Sequence, residues 1–277
     1  MLANQRKFDT ITAMVSTVKR FLHYFFAKEG VYPPAGLPSM GWFLLMVTTF
    51  LSIYHGLKRT AQCGHEEVRR ILRRDAVMLW ILELVKITYR FLTGFAANLN
   101  TWLPLYFCSI TLYAVVMSCS KHPFIQHIGD VFITTGGLCG GACFLLYPST
   151  SLLLFPTLHY LSIHSFLYHG TMVYLGILLS RSGTVNLQRS DLKYYMAFTG
   201  FFCLLALVIN HKLGLNMMFI SAPMEGTILG PISWLLDQIY TPVLVLVQMT
   251  GPFLVVLHIK QKSGLLDRPS WYQPIAE

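Results

Sequence analysis

The chain has 277 residues, of which 54% are apolar, 14% aromatic and only 12% charged, whereas about a quarter of an ordinary water-soluble domain is charged. Charge-free apolar stretches recur along it, and about 20 apolar residues cross about 30 Å of hydrocarbon. A separate globular domain in water, a disordered chain and a disulfide scaffold are excluded.

The net charge of +9 sits mainly beside the apolar stretches, where it orients a membrane protein and meets anionic lipid. No basic stripe interleaved with aromatics lies outside them, so nucleic acid is not an expected partner. Five of the six cysteines, Cys108, Cys119, Cys139, Cys143 and Cys203, fall inside apolar stretches, with Cys63 outside.

The expected fold is all-α: an integral membrane bundle of seven transmembrane helices preceded by an N-terminal amphipathic helix. Residues 1–40 form the N-terminal arm. Within it, 10–27 reads as an interfacial amphipathic helix, because Lys19, Arg20 and His23 interrupt its apolar run. Seven spans follow, at about 41–57, 75–95, 103–119, 127–147, 159–180, 194–212 and 240–259, making residues 41–260 the transmembrane domain and 261–277 a cytoplasmic tail.

Lys and Arg alternate between the connecting loops, with six in 58–74, none in 96–102, one in 120–126, none in 148–158 and three in 181–193. The positive-inside rule then puts the C-terminus in the cytoplasm and the N-terminus opposite. The five basic residues of the arm, Arg6, Lys7, Lys19, Arg20 and Lys28, run against that orientation. The cell membrane or the endoplasmic reticulum membrane is the expected location, and oligomeric state is open.

Span four carries Gly136, Gly137, Gly140 and Gly141, a small-residue pattern that admits another backbone closely. Pro252 falls inside span seven and is expected to kink it. Ionisable groups inside spans need a partner or a function. Glu83, Lys86 and Arg90 share one stripe of span two, either as an internal charge ladder or with Arg90 holding a phosphate or carboxylate. Span five is denser still, with His159, Ser162, His164, Ser165, Tyr168 and His169, which must face protein or water. His164 and His169 are about 140° apart around a helix, so no metal site is expected from the pair.

Spans three and five begin at the same membrane face, which brings Cys108, just past Pro104, to the depth of His164. The loop after span six opens there too, with Asn216, Met217, Met218, Ser221 and Glu225. A thiol and an imidazole at one end of a bundle suit nucleophilic acyl transfer. Cys143 is a rival thiol at similar depth.

Three blocks, LPLYFCS (Leu103 to Ser109), FPTLHYLSIHSFLYHG (Phe155 to Gly170) and LNMMFISAP with EGT and LGP (Leu215 to Pro231), resemble the YwaF-like integral membrane proteins and, more remotely, the transmembrane protein 164 branch. That branch implies phospholipid acyl transfer by a Cys–His pair, falling by motif on Cys108 and His164, with Asn216 in the matching Asn-Met-Met block. On this reading Asn216, Arg90, His169, Tyr168 and Glu225 bind substrate, no cofactor is expected, and the partners are membrane lipids: an acyl-lipid donor and a lysophospholipid acceptor. The chain has no His-x4-Asp, Gly-x-Ser-x-Gly or His-Glu-x-x-His motif. The alternative is a transporter, channel or receptor-like bundle whose polar groups line a proton or solute path.

Overall fold

The computed structural model describes residues 2–223 and 239–263. Helices α1 (Leu2–Phe25), α2 (Met40–Arg59), α3 (His65–Leu92), α4 (Thr111–Ser118), α5 (Pro123–Phe132), α6 (Leu138–Leu146), α7 (Tyr160–Arg181), α8 (Leu192–Leu213) and α9 (Tyr240–Ser263) follow in order. No strand occurs among the described residues. The expected all-α fold is therefore found. Four rods are long and apolar enough to cross a membrane: Met40–Arg59, Pro123–Leu146, Arg189–Leu213 and Tyr240–Ser263.

Expected spans two and five are full helices, α3 of 28 and α7 of 22 residues, whose charged and polar side chains set them apart from those four. Expected span three is different. Its helical part, α4, has eight residues, about 12 Å at 1.5 Å per residue, too short to cross. The chain before it is irregular because Pro104 supplies no N–H and restricts Leu103. Side chains support that segment instead: Tyr106 Oη donates to the Asn100 carbonyl (2.9 Å) and Trp102 Nε1 to that of Ala96 (3.0 Å).

Helix α3 also starts ten residues before the predicted boundary. Glu66 and Glu67 occupy its first turn, where carboxylates favour the positive end of the helix, and Glu67 accepts from the Gly64 N–H (3.2 Å). Four arginines assigned to a loop are thus helical. Arg69 is buried, and its Nη1 and Nη2 meet the two oxygens of buried Asp130 on α5 at 2.8 and 2.6 Å. Ser118, the last residue of α4, donates its hydroxyl to the same carboxylate. Next to this cluster, a Cβ at Gly129 would collide with the Ala114 carbonyl and the Ser118 N–H, so glycine permits the close α4–α5 contact.

Helices α5 and α6 form one rod interrupted by a π turn, Ile133–Gly137. Thr134 and Thr135 hydroxyls donate to the carbonyls of Asp130 (2.8 Å) and Val131 (2.6 Å), supplying donors where helical bonding is out of register. In α9, Pro252 has no N–H for the Gln248 carbonyl one turn earlier. Tyr195 Oη on α8 donates to that carbonyl instead (2.9 Å).

Helix α7 is the central pillar. Fifteen of its residues are buried, and it packs on α2, α3, α6 and the π turn. Its N-cap is His159, whose Nδ1 accepts from Leu161 N–H (3.1 Å). The proton is thereby left on Nε2, which lies 3.0 Å from the Ala27 carbonyl in the N-terminal arm. Helix α1 covers residues 10–25 of the expected 10–27 helix, stopping two residues short, and begins at Leu2; from residue 12 it lies mostly exposed.

Asp130→Ala leaves the Arg69 guanidinium buried and unpaired, a loss of about 3–5 kcal/mol. Replacing both partners, Arg69→Met with Asp130→Leu, is expected to cost much less. Thermal unfolding of the detergent-solubilised protein separates the two.

Candidate functional site

The polar residues of α7 point into the bundle. His159, Ser162, His164, Tyr168 and His169 are all buried. His164 lies beside the Leu82 carbonyl of α3, and its Nε2 is buried with no hydrogen-bond partner. One turn on, the Tyr168 ring stacks parallel to His164 (centroids 5.9 Å, 16°), and its hydroxyl donates to the Cys108 carbonyl (3.4 Å). Tyr168 therefore bridges the imidazole of α7 and the turn that carries the thiol.

Cys108 sits in that turn, three residues before α4 begins, rather than one turn inside a helix. Its backbone is pinned by Thr111 N–H on the Cys108 carbonyl (3.2 Å) and by Ile110 N–H on that of Tyr106 (3.0 Å). Opposite the thiol is Gly140 of α6, where a Cβ would stand 3.3 Å from Cys108 Sγ. Cys143, one turn further along α6, is exposed and close enough to interact electrostatically with Cys108. All six cysteines are free.

Beneath this centre lies an ion pair, Lys86 Nζ to Glu83 Oε1 at 2.7 Å, with Glu83 buried. The Lys86 charge acts on both His164 and His169. His169 Nδ1 is bonded to the Ser165 carbonyl (2.7 Å), and its ring lies flat on Phe144 with centroids 3.7 Å apart. The expected charge ladder stops at Lys86. Arg90 pairs instead with Glu29 of the N-terminal arm (3.5 Å), its guanidinium 5.2 and 5.5 Å from the ring centres of Phe95 and Phe155.

The loop after α8 reaches the same end of the bundle. Asn216 N–H donates to Asn100 Oδ1 (3.3 Å), and the Phe219 ring meets that of Tyr106 at 5.0 Å. Asn216 spends its side chain on the loop itself: Oδ1 accepts from Ser221 and Ala222 N–H (3.2 Å each) and Nδ2 donates to the Ala222 carbonyl (2.8 Å). Asn210 likewise grips both the N–H (2.6 Å) and the carbonyl (3.1 Å) of Met217. These amides hold Met218 and Phe219 at φ of 57° and 55°, a region non-glycine residues rarely enter. Glu225 lies outside the described residues.

The structure thus sets Tyr168 against both His164 and the Cys108 carbonyl, with His169 and the Glu83–Lys86 pair near the imidazole, and keeps Arg90 in a separate contact with the arm. Sequence reasoning passed over Asp130, although an acid within an apolar span calls for a buried cation. Among the described residues, no group of three His, Cys, Asp or Glu side chains could hold a metal.

Several apolar rods around a half-buried thiol and a buried imidazole and phenol define a multi-pass membrane protein with a polar centre inside the bundle. A family model described as the TMEM164 family matches residues 31–251. The chain belongs to that family. It is the transmembrane protein 164 branch of the resemblance carried by the three sequence blocks. Comparison with curated proteins and with solved structures returns no match.

The glycines rank by what a methyl group would meet. At Gly141 a Cβ would lie 2.8 Å from the His169 carbonyl oxygen, whereas at Gly137 nothing comes nearer than 3.5 Å. Gly141→Ala is expected to destabilise the bundle by about 1–3 kcal/mol, and Gly137→Ala by less than about 0.5 kcal/mol. Paired thermal melts test the difference.

Proposed function

We propose that this protein moves acyl chains between phospholipids, using Cys108 as nucleophile and His164 as the proton carrier. The observation that supports the proposal is the unpartnered, buried Nε2 of His164, joined through Tyr168 to the Cys108 turn. A general base needs an unoccupied lone pair.

In the first step the Cys108 S–H proton passes to His164 Nε2 as sulfur bonds to the ester carbonyl carbon of a phospholipid. The C–O bond then breaks, and the leaving lysophospholipid oxygen takes the proton back from His164, leaving a thioester on Cys108. A second lysophospholipid reverses the sequence: its hydroxyl proton goes to His164, its oxygen attacks the thioester carbonyl, and sulfur leaves and regains the proton. The balance is neutral and calls for no cofactor. Exposed Cys143 beside Cys108 marks the side from which an ester would approach. Asn216 contributes by shaping the strained loop, His169 and Tyr168 line the centre, and Arg90 and Glu225 are assigned to the headgroup.

The proposal keeps seven crossings, with α3 and α7 as polar ones and 103–119 crossing beside α3 as irregular chain that continues into α4, an arm of 1–40 outside the cytoplasm and a tail of 261–277 inside it. The membrane is that of the cell or the endoplasmic reticulum. A second reading, a proton or solute conduit, draws on the buried line of Glu83, Lys86, His164 and His169.

The test is an acyl-chain activity probe applied to the protein in lipid nanodiscs, with mass spectrometry of the modified peptide. Modification at Cys108 is expected, absent in Cys108→Ser and slowed about 100-fold or more in His164→Ala. An unlabelled Cys108 in folded protein overturns the proposal. A conduit would instead survive Cys108→Ser and fail with Glu83→Gln in a flux assay.

A further inference from the structure

A groove of about 640 Å3 runs between the end of α1, the arm residues that follow it and the last two turns of α3, within the size range of small-molecule sites. Its walls are apolar, with Leu22, Phe26, Val31, Val85 and Leu92 among them, and its charged or ionisable cationic side chains are Lys28 and His23. No carboxylate lines it.

The reason lies in the adjacent residue. Glu29, the nearest acid in sequence to Lys28, turns to Arg90, so Lys28 is left without that counter-charge. Its ammonium lies over the α3 C-terminus, 4.0 Å from where a Cβ on Gly94 would stand. The remaining polar groups of the wall are spent on backbone carbonyls: Thr88 and Thr93 hydroxyls donate to those of Leu84 (2.9 Å) and Tyr89 (2.8 Å), and the Tyr89 hydroxyl to that of Ala27 (2.5 Å). The groove is therefore cationic at one place and oily elsewhere.

Its oily wall continues into a membrane-like surface. Met14, Val15, Val18, Phe21 and Leu22 are exposed on α1 at helical spacings of one, three and four, which puts them on one side of the helix. Lys19 and Arg20 lie among them in sequence. A soluble anion would use the cation alone; an amphiphile uses both features.

We propose that this groove binds one anionic phospholipid, its phosphate on Lys28 beside His23 and an acyl chain along Val31, Val85 and Leu92. The site is distinct from the Cys108 centre and does not depend on any reaction there.

The experiment uses the full chain in nanodiscs doped with phosphatidylserine carrying a diazirine acyl chain, or with phosphatidylcholine carrying the same chain, followed by peptide mapping of the crosslinks. Phosphatidylserine is expected to label residues 22–31 and 85–92 severalfold more than phosphatidylcholine. Lys28→Glu should bring the two to equality, and Val85→Trp, which fills the groove, should remove labelling by both while the thermal melt is unchanged. Equal labelling by the two lipids in the unaltered protein, or a phosphatidylserine preference that survives Lys28→Glu, would overturn the proposal.

Discussion

Arg69 and Asp130 meet through both arms of the guanidinium and both oxygens of the carboxylate, and much of the bundle takes its placement from that contact. Asp130 stands in a rod that is otherwise apolar, and Arg69 on a helix whose first turns look like a loop. Each charge would be costly alone, and the pair contributes more to position than to net stability. Through Ser118 the carboxylate also fixes the end of α4. That anchoring allows so short a helix, preceded by irregular chain, to carry Cys108 at a defined place.

Around this anchor the interior divides by polarity. α7 is buried on nearly every side and brings most of the polar residues of the centre, so its neighbours must supply partners rather than grease. Cys108 gives a carbonyl to Tyr168, and Phe144 a ring face to His169. The same economy recurs at the broken places of the backbone. The π turn is bonded by threonines, the carbonyl left by Pro252 by Tyr195, and the strained loop by Asn210 and Asn216. In hydrocarbon such groups need protein partners, and these side chains supply them.

The apolar periodicity made most helices legible, because length and hydropathy alone define a crossing. The dense polarity of 159–170 announced an inward-facing helix, and the glycines of span four announced the close contacts that Gly140 and Gly141 make. What stayed illegible was three-dimensional pairing. A window that averages hydropathy places Arg69, Arg70, Arg73 and Arg74 in water, since it cannot see that one of them turns to an acid 61 residues away. The same averaging turned 103–119 into a helix, although Pro104 argued for the irregular entry that is found. The stripe of Glu83, Lys86 and Arg90 was visible, but the partner of Arg90 lay in an arm whose course no periodicity describes.

That arm has a consequence for the order in which the protein can be assembled. The Ala27 carbonyl is held by Tyr89, 62 residues later, and by His159, 132 residues later. It is synthesised before either of them, and its later partner exists only after 132 further residues have been made. Until α7 is in place the arm has no complete seat, and neither does the Arg90 that leans on its Glu29. A segment synthesised before α3 and α7 thus settles only after both, and the arm acts as a latch that closes on them.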